Sequence, residues 1–184
     1  MKRVFDVAVS LFALVLLLPL MALAAVAIVL ESGRPILFSQ TRLGLGGREF
    51  AMYKFRSMVK DASLIGPYHT AAGDARITRV GQFLRRTSID ELPQLLNVLK
   101  GDMSLVGPRP DVPAQRSLYS DVDWKVRCSV RPGITGLAQA RLRSQATEAQ
   151  RLALDLQYAT EHNLWMDVKI VLLTLGRVSG QGSN

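Results

Sequence analysis

The sequence predicts a mainly α-helical protein with one small β-hairpin, tied to a membrane by its N-terminal segment. Three observations carry that reading. From Val7 to Leu30 there is no charged residue, and Ser10 is the only polar side chain. Two short β-prone runs flank the glycine-rich turn Gly44-Leu45-Gly46-Gly47. Elsewhere apolar residues recur at helical spacing, in segments ended by glycine or proline. The 184 residues suffice for one compact domain with a sizeable core.

Composition narrows the partners. Lys and Arg number 23 against 15 Asp and Glu, a formal net charge of +8. Such a balance favours phosphate-bearing partners: nucleic acid, nucleotides or anionic lipid. The mean hydropathy of +0.16 comes largely from the N-terminus. The single Cys128 cannot form an internal disulfide, which points to a reducing compartment. His69 and His162 are too few for a His-rich zinc site, and His69 reads as a solvated side chain.

The apolar N-terminus admits three readings. A cleaved signal peptide would use Lys2-Arg3 as its basic start and Ala22-Leu23-Ala24 as its small-residue site, but the apolar run continues through Val26, Ile28 and Leu30. A straight helix over Val7 to Leu30 would reach about 36 Å, enough to cross a hydrocarbon core of about 30 Å. Pro19, near the middle, would kink such a span, which membrane helices tolerate. Alternatively Pro19 breaks the run into a re-entrant helix-break-helix. Lys2 and Arg3 lie on one side of the run, and Arg34, Arg42 and Arg48 on the other. Basic flanks prefer the cytoplasm, and a hairpin entering one leaflet satisfies both. Physics alone leaves the spanning and re-entrant forms evenly matched.

Ile36-Leu37-Phe38 and Phe50 to Phe55 flank the glycine turn as a β-hairpin. The glycines do not make a phosphate loop, since no Gly-Lys-Ser/Thr follows. Residues 60–75 read as a loop. Then come Arg76, Arg79, Arg85 and Arg86, interleaved with Ile77, Val80, Phe83 and Leu84 at helical spacing. Leu92 to Lys100 reads as a helix stopped by Gly101. The turn Gly107-Pro108-Arg109-Pro110 precedes a charged segment holding Tyr119 and Trp124, and a second turn runs Arg131-Pro132-Gly133-Ile134-Thr135-Gly136. Thr147 to His162 reads as a helix. Trp165 to Val178 reads as a last apolar helix, carrying Asp167, Lys169 and Arg177, which suits either a membrane surface or a plain core. No linker or repeat divides the chain: it reads as a membrane element at 1–33 and one domain at 34–184.

The chemistry centres on Asp90 and Glu91. Ser88 with Glu91 forms a capping-box pattern, and acids in a first turn are favourable, so local helix chemistry accounts for both carboxylates. Pro93 complicates that pattern: it leaves a carbonyl unpaired if Ile89 begins the helix, and costs little if Asp90 is the cap. The same geometry admits a reactive site. Adjacent carboxylates point different ways, so one can hold Mg²⁺ while the other faces a phosphorus atom. Arg85, Arg109 and Arg131 can neutralise phosphate oxygens by bidentate contacts. A carboxylate can act as nucleophile in phosphoryl transfer and form an acyl phosphate.

The stretch Arg85 to Pro110, with Arg131 to Gly136, closely resembles the bacterial sugar transferase family, the monotopic phosphoglycosyl transferases. The likeness covers nearly the whole chain. It takes in Asp6, the proline-broken apolar helix, Gln40-Thr41-Arg42-Leu43-Gly44, Tyr53-Lys54-Phe55-Arg56-Ser57-Met58 and Asp167-Val168-Lys169-Ile170. The resemblance implies transfer of a phospho-sugar from a UDP-sugar to a polyprenol phosphate such as undecaprenyl phosphate, with release of UMP. It implies the initiating step of bacterial glycoconjugate assembly. It makes Asp90 the nucleophile, Glu91 its Mg²⁺-associated partner, and Arg85, Arg109 and Arg131 phosphate-binding residues. It implies the re-entrant helix with amphipathic interface helices, an active site on the cytoplasmic face of the inner membrane, and ping-pong kinetics. An exposed membrane-facing surface would also be open to homodimer formation.

Two departures stand out: Leu18 replaces the family's usual serine before Pro19, and Asp111-Val112-Pro113-Ala114 differs from the usual apolar and acidic continuation, with a bearing on sugar selection. Two other classes compete. A membrane-tethered basic module gripping nucleic acid or anionic lipid would explain the charge but not Asp90-Glu91 or the rigid turns. A metal-dependent phosphatase would use the same carboxylates but would not need a lipid acceptor, and the apolar N-terminus argues against it by placing the site where a lipid can reach. On the transferase reading, nucleic acid is not a partner.

Overall fold

The computed structural model describes residues 1–62, 73–142 and 147–180; His69 and the middle of the expected 60–75 loop lie outside them. Helix α1, Lys2–Ser32, is helical up to, through and beyond Pro19. Among the described residues it is the one helix long and apolar enough to cross a membrane. Two separated stretches of it pack on the rest of the protein. Phe5, Val9, Ala13 and Leu14 meet a core of Leu105, Val106, Tyr158 and Ile170. Met21, Ala24, Ala25 and Ile28 meet Phe55 and Leu84. Between them Val15, Leu16, Leu18 and Leu20 stand exposed.

Strands β1, Leu37–Leu43, and β2, Glu49–Phe55, form the expected antiparallel hairpin, with Leu37 opposite Phe55 and Leu43 opposite Glu49. Gly46 and Gly47 turn the chain at φ of 65° and 74°, a region that costs glycine nothing. Helix α2, Arg79–Arg86, is capped by Thr78, whose hydroxyl accepts from the Gly81 N–H at 2.9 Å. A β-carbon on Gly81 would lie 2.0 Å from the Ser57 carbonyl oxygen, so only glycine lets α2 approach the end of β2 this closely.

The helix expected over Leu92 to Lys100 forms but starts two residues later: α3 covers Gln94–Lys100 with Pro93 at its start, and a separate 3₁₀ turn covers Ile89–Glu91. Proline lacks the N–H that a continuous helix would need, and the join falls there. Gly101 closes α3 at φ 96°, the left-handed stop read from the sequence.

Beyond α3 lies a pairing that the sequence does not announce. Strand β3, Ser104–Val106, runs parallel to β4, Gly133–Thr135. It sets the two proline turns back to back: the Gly107 N–H donates to the Thr135 carbonyl at 2.9 Å, and the Gly133 N–H to the Pro108 carbonyl at 3.0 Å. A β-carbon on Gly107 would sit 2.2 Å from the Arg131 carbonyl oxygen, and one on Gly133 would sit 2.1 Å from the Gly107 nitrogen. Beyond these strands the described residues form a 3₁₀ turn at Pro113–Leu118 and the helices α4 Asp121–Arg127, α5 Leu137–Arg141, α6 Glu148–Glu161 and α7 Leu164–Gly180. Thr147 and Gln150 form a capping box at the start of α6.

A buried polar knot joins the start of α1 to β3 and α7. Lys2 Nζ lies 2.6 Å from Asp167 Oδ2 and 3.3 Å from the Val106 carbonyl. The Tyr158 hydroxyl lies 2.6 Å from Asp167 Oδ1 and 2.9 Å from the same carbonyl. Asp6 accepts from Ser104 Oγ at 2.9 Å. Each carboxylate is buried but answered, the condition under which buried charge is tolerated. Gly107→Ala, by forcing these backbones apart, is expected to lower stability by about 1–3 kcal/mol, the scale of an overpacked core. Thermal unfolding of the detergent-solubilised protein checks this, and an unchanged midpoint would contradict the packing described.

Candidate active site

Asp90 and Glu91 occupy the 3₁₀ turn between α2 and α3. Ser88 before them adopts φ 58°, and its side chain makes no capping bond. Glu91 does not turn back to Ser88. Its Oε1 accepts from Lys54 Nζ at 2.7 Å and from Arg109 Nη2 at 3.1 Å. The capping-box account of these residues therefore fails: the local pattern is present in the sequence, but two distant cations compete better for the carboxylate.

The two acids differ sharply. Asp90 is 7% exposed, and its carboxylate makes no hydrogen bond or ion pair among the described residues. Burial, helped by the neighbouring charge of Glu91, raises its pKa to about 6, against the pull of Lys54, Arg85 and Arg109. Burial also opposes ionisation of Glu91, but Arg109 and Lys54 outweigh it and hold its pKa at about 2. One carboxylate is thus permanently charged and engaged, while the other is unpartnered and able to ionise near neutrality. Separation of this kind is common where two acids have different chemical tasks.

The arginines divide. Arg109, on the Gly107-Pro108-Arg109-Pro110 turn, reaches Glu91, and β3 with its polar knot holds that turn in place. Arg85, in the last turn of α2, donates its Nε to Ser57 Oγ at 2.8 Å and acts electrostatically on Asp90. Arg131 is not brought to the pair. Its Nε donates to the Gly101 carbonyl at 2.9 Å, beside Arg3, which binds the Val98 and Leu99 carbonyls at 2.5 and 3.0 Å. Both cations thus serve the C-terminal end of α3, opposite the carboxylates, where free carbonyls favour positive charge.

Lys54 is the site residue that the sequence reading did not single out. It stands in the motif Tyr53 to Met58, but alternation along β2 marks it only as a side chain on one face of a hairpin. Burial lowers its pKa, and Glu91 opposes that shift. Arg42 approaches from β1, donating Nη1 to the Pro110 carbonyl at 2.9 Å. Asp111, part of the stretch that departs from the family pattern, is engaged in an ion pair with Arg127.

The charges of Lys54, Arg85 and Arg109 around this buried, unpartnered carboxylate are of the kind that binds phosphate oxygens. A family model described as bacterial sugar transferase matches residues 1–181, and the chain belongs to that family. It is 49% identical over 95% of its length to the UDP-glucose:undecaprenyl-phosphate glucose-1-phosphate transferase of Caulobacter vibrioides, covering 68% of that protein. It is 45% identical to the undecaprenyl-phosphate glucose phosphotransferase of Komagataeibacter xylinus over 96% of its own length, but covers only 35% of that protein. It is 44% identical to an exopolysaccharide production protein of Rhizobium leguminosarum bv. phaseoli, covering 95% of this chain and 93% of that one.

The raised pKa of Asp90 carries a stability consequence. A carboxyl whose folded pKa lies above its unfolded value stabilises the fold when protonated, and that contribution is lost as pH rises through 6. Asp90→Asn removes the buried charge. The variant is expected to be more stable than wild type by about 3 kcal/mol at pH 8, with the gain vanishing towards pH 4. Denaturation at the two pH values checks this, and a variant less stable at pH 8 would mean that Asp90 is held by structural bonds.

Proposed function

We propose that the protein transfers a sugar phosphate from a UDP-sugar to undecaprenyl phosphate or a similar polyprenol phosphate, through a covalent intermediate on Asp90. The observation that carries the proposal is the asymmetry of the pair: Glu91 is held by Lys54 and Arg109, and Asp90 is buried without a partner. A structural carboxylate would be hydrogen-bonded. A nucleophile needs a free lone pair and an approach to the phosphorus atom.

In the first half-reaction, an Asp90 carboxylate oxygen bonds to the phosphorus that carries the sugar. The bond from that phosphorus to the bridging oxygen breaks, and UMP leaves with the electron pair. In the second, a phosphate oxygen of the polyprenol phosphate bonds to the same phosphorus and Asp90 is released. Arg85 and Arg109 stabilise the charge on the phosphoryl oxygens, and Lys54 holds Glu91 charged and in place. The donor set suits Mg²⁺, which takes one or two carboxylates and completes its shell with substrate phosphates and water. Asp90 is unengaged, and Glu91 keeps one oxygen outside its contacts with Lys54 and Arg109. When bound there, Mg²⁺ would supply charge neutralisation between the anionic nucleophile and the diphosphate.

The membrane arrangement belongs to the same proposal. Two stretches of α1 flanking Pro19 pack on one body, which supports a helix that enters and leaves on a single side. Its basic flanks then both face the cytoplasm. In α7, Trp165, Leu172, Leu173 and Leu175 are exposed, and Lys169 stacks over Trp165, the features of a helix at a lipid interface. Such a position sets Asp90 within reach of a lipid-borne acceptor.

The test is UMP release by purified protein with Mg²⁺ across a panel of UDP-sugars, with and without polyprenol phosphate. Sustained, lipid-dependent release for one sugar is expected, falling on the acid side of pH 6 as Asp90 protonates. Asp90→Asn should abolish turnover, since an amide cannot form the acyl phosphate. Glu91→Gln should lose at least about 100-fold by breaking its pairing with Lys54 and Arg109. Nucleic acid binding with a steep salt dependence and no release from any sugar would overturn the proposal in favour of a basic binding module.

A further inference from the structure

Arg109, which binds Glu91, also lines a small cavity of about 90 Å³, together with Arg42, Asp111, Gln115, Arg127, Arg151 and Pro110. A water occupies about 30 Å³ of liquid volume, so the space suits a group of a few heavy atoms such as a phosphoryl group. Its charges are unevenly committed. Arg127 is fully engaged: its Nη1 pairs with Asp111, its Nε with Asp155 at 3.0 Å, and its Nη2 donates to the Arg109 carbonyl at 2.6 Å. That engagement also answers Asp111, the one carboxylate in the lining.

Arg42 and Arg151 are in a different state. Neither forms an ion pair among the described residues. The Nε of Arg42 is buried and has no hydrogen-bond partner, although its two terminal nitrogens are engaged by Pro110 and Gln40. Arg151, at the start of α6, is exposed and extends to the cavity rim. A buried guanidinium N–H without an acceptor is costly, and an anionic oxygen in the cavity would answer it. Arg109 connects this space to the reacting carboxylates, touching Glu91 on one side and lining the cavity on the other.

We propose that this cavity seats the phosphate that departs with the nucleotide, with Arg42 and Arg151 as its binding residues. The assignment rests on the transferase reading above and adds a location to it. The bond that breaks joins the two phosphates of the donor, so the departing phosphate is one bridging oxygen from the phosphorus that Asp90 attacks. A cation cluster that shares Arg109 with the carboxylate pair is where its growing charge would be received. The lining favours the nucleotide over the lipid acceptor: it is polar throughout except for Pro110, and none of the large exposed apolar side chains borders it.

The experiment measures UMP binding by calorimetry on the full chain in nanodiscs with Mg²⁺, together with KM for the UDP-sugar and for polyprenol phosphate. Arg151→Gln is the principal variant, because the side chain is exposed and forms no ion pair among the described residues. Arg42→Lys is the second: it retains charge but loses the planar fork. Each is expected to weaken UMP about ten-fold and to raise the donor KM similarly, leaving the acceptor KM unchanged. Unchanged UMP affinity in Arg151→Gln, with wild-type turnover intact, would overturn the cavity assignment and leave the transferase standing. A rise confined to the acceptor KM would also overturn it, by giving the cavity to the lipid phosphate. A wild-type protein that neither binds nor releases UMP would remove the transferase reading, and this assignment with it.

Discussion

The three-way contact of Glu91 with Lys54 and Arg109 is the constraint on which the site depends. It joins three segments far apart in sequence: β2, the turn between α2 and α3, and the turn after β3. Its electrostatic consequence falls on the neighbour. Because Glu91 takes the two nearest cations as direct partners, Asp90 feels them only at longer range and remains buried with its lone pairs free. The arrangement stabilises ionised Asp90 less than it stabilises the residue beside it, a pattern expected where local stability is given up for function.

Position of the membrane helix and position of the site are linked through backbone. Lys2 and Tyr158 both converge on the Val106 carbonyl, and Gly107, Pro108 and Arg109 follow directly. Arg3 and Arg131 bind carbonyls at the far end of α3. The start of α1 is therefore part of the domain core rather than an appended segment, and residue 33 does not mark a boundary between folding units.

Much of this was legible from residues alone, for identifiable reasons. The hairpin showed because glycines at 44, 46 and 47 interrupt β-prone runs, and α6 because Thr147 and Gln150 write their cap into the sequence. That Asp90, Glu91 and Arg109 lie together was readable from a long motif. Strands β3 and β4 were not, since three residues give no alternation and their pairing is fixed by close backbone contact at Gly107 and Gly133. Arg131 looked equivalent to Arg109 because both sit in proline turns; only the parallel pairing reveals that its side chain points to Gly101. Lys54 and the Arg127–Asp111–Asp155 cluster were hidden because ion pairs between distant segments leave no periodic trace.

The claim on which most depends is that Asp90 carries the sugar phosphate during turnover. The direct measurement is intact-protein mass spectrometry after brief incubation with Mg²⁺ and the preferred UDP-sugar, without polyprenol phosphate. The account predicts an adduct of one sugar phosphate, mapped to Asp90, lost on adding polyprenol phosphate and absent from Asp90→Asn. Wild-type turnover without any such adduct, or with the adduct on another residue, would contradict it.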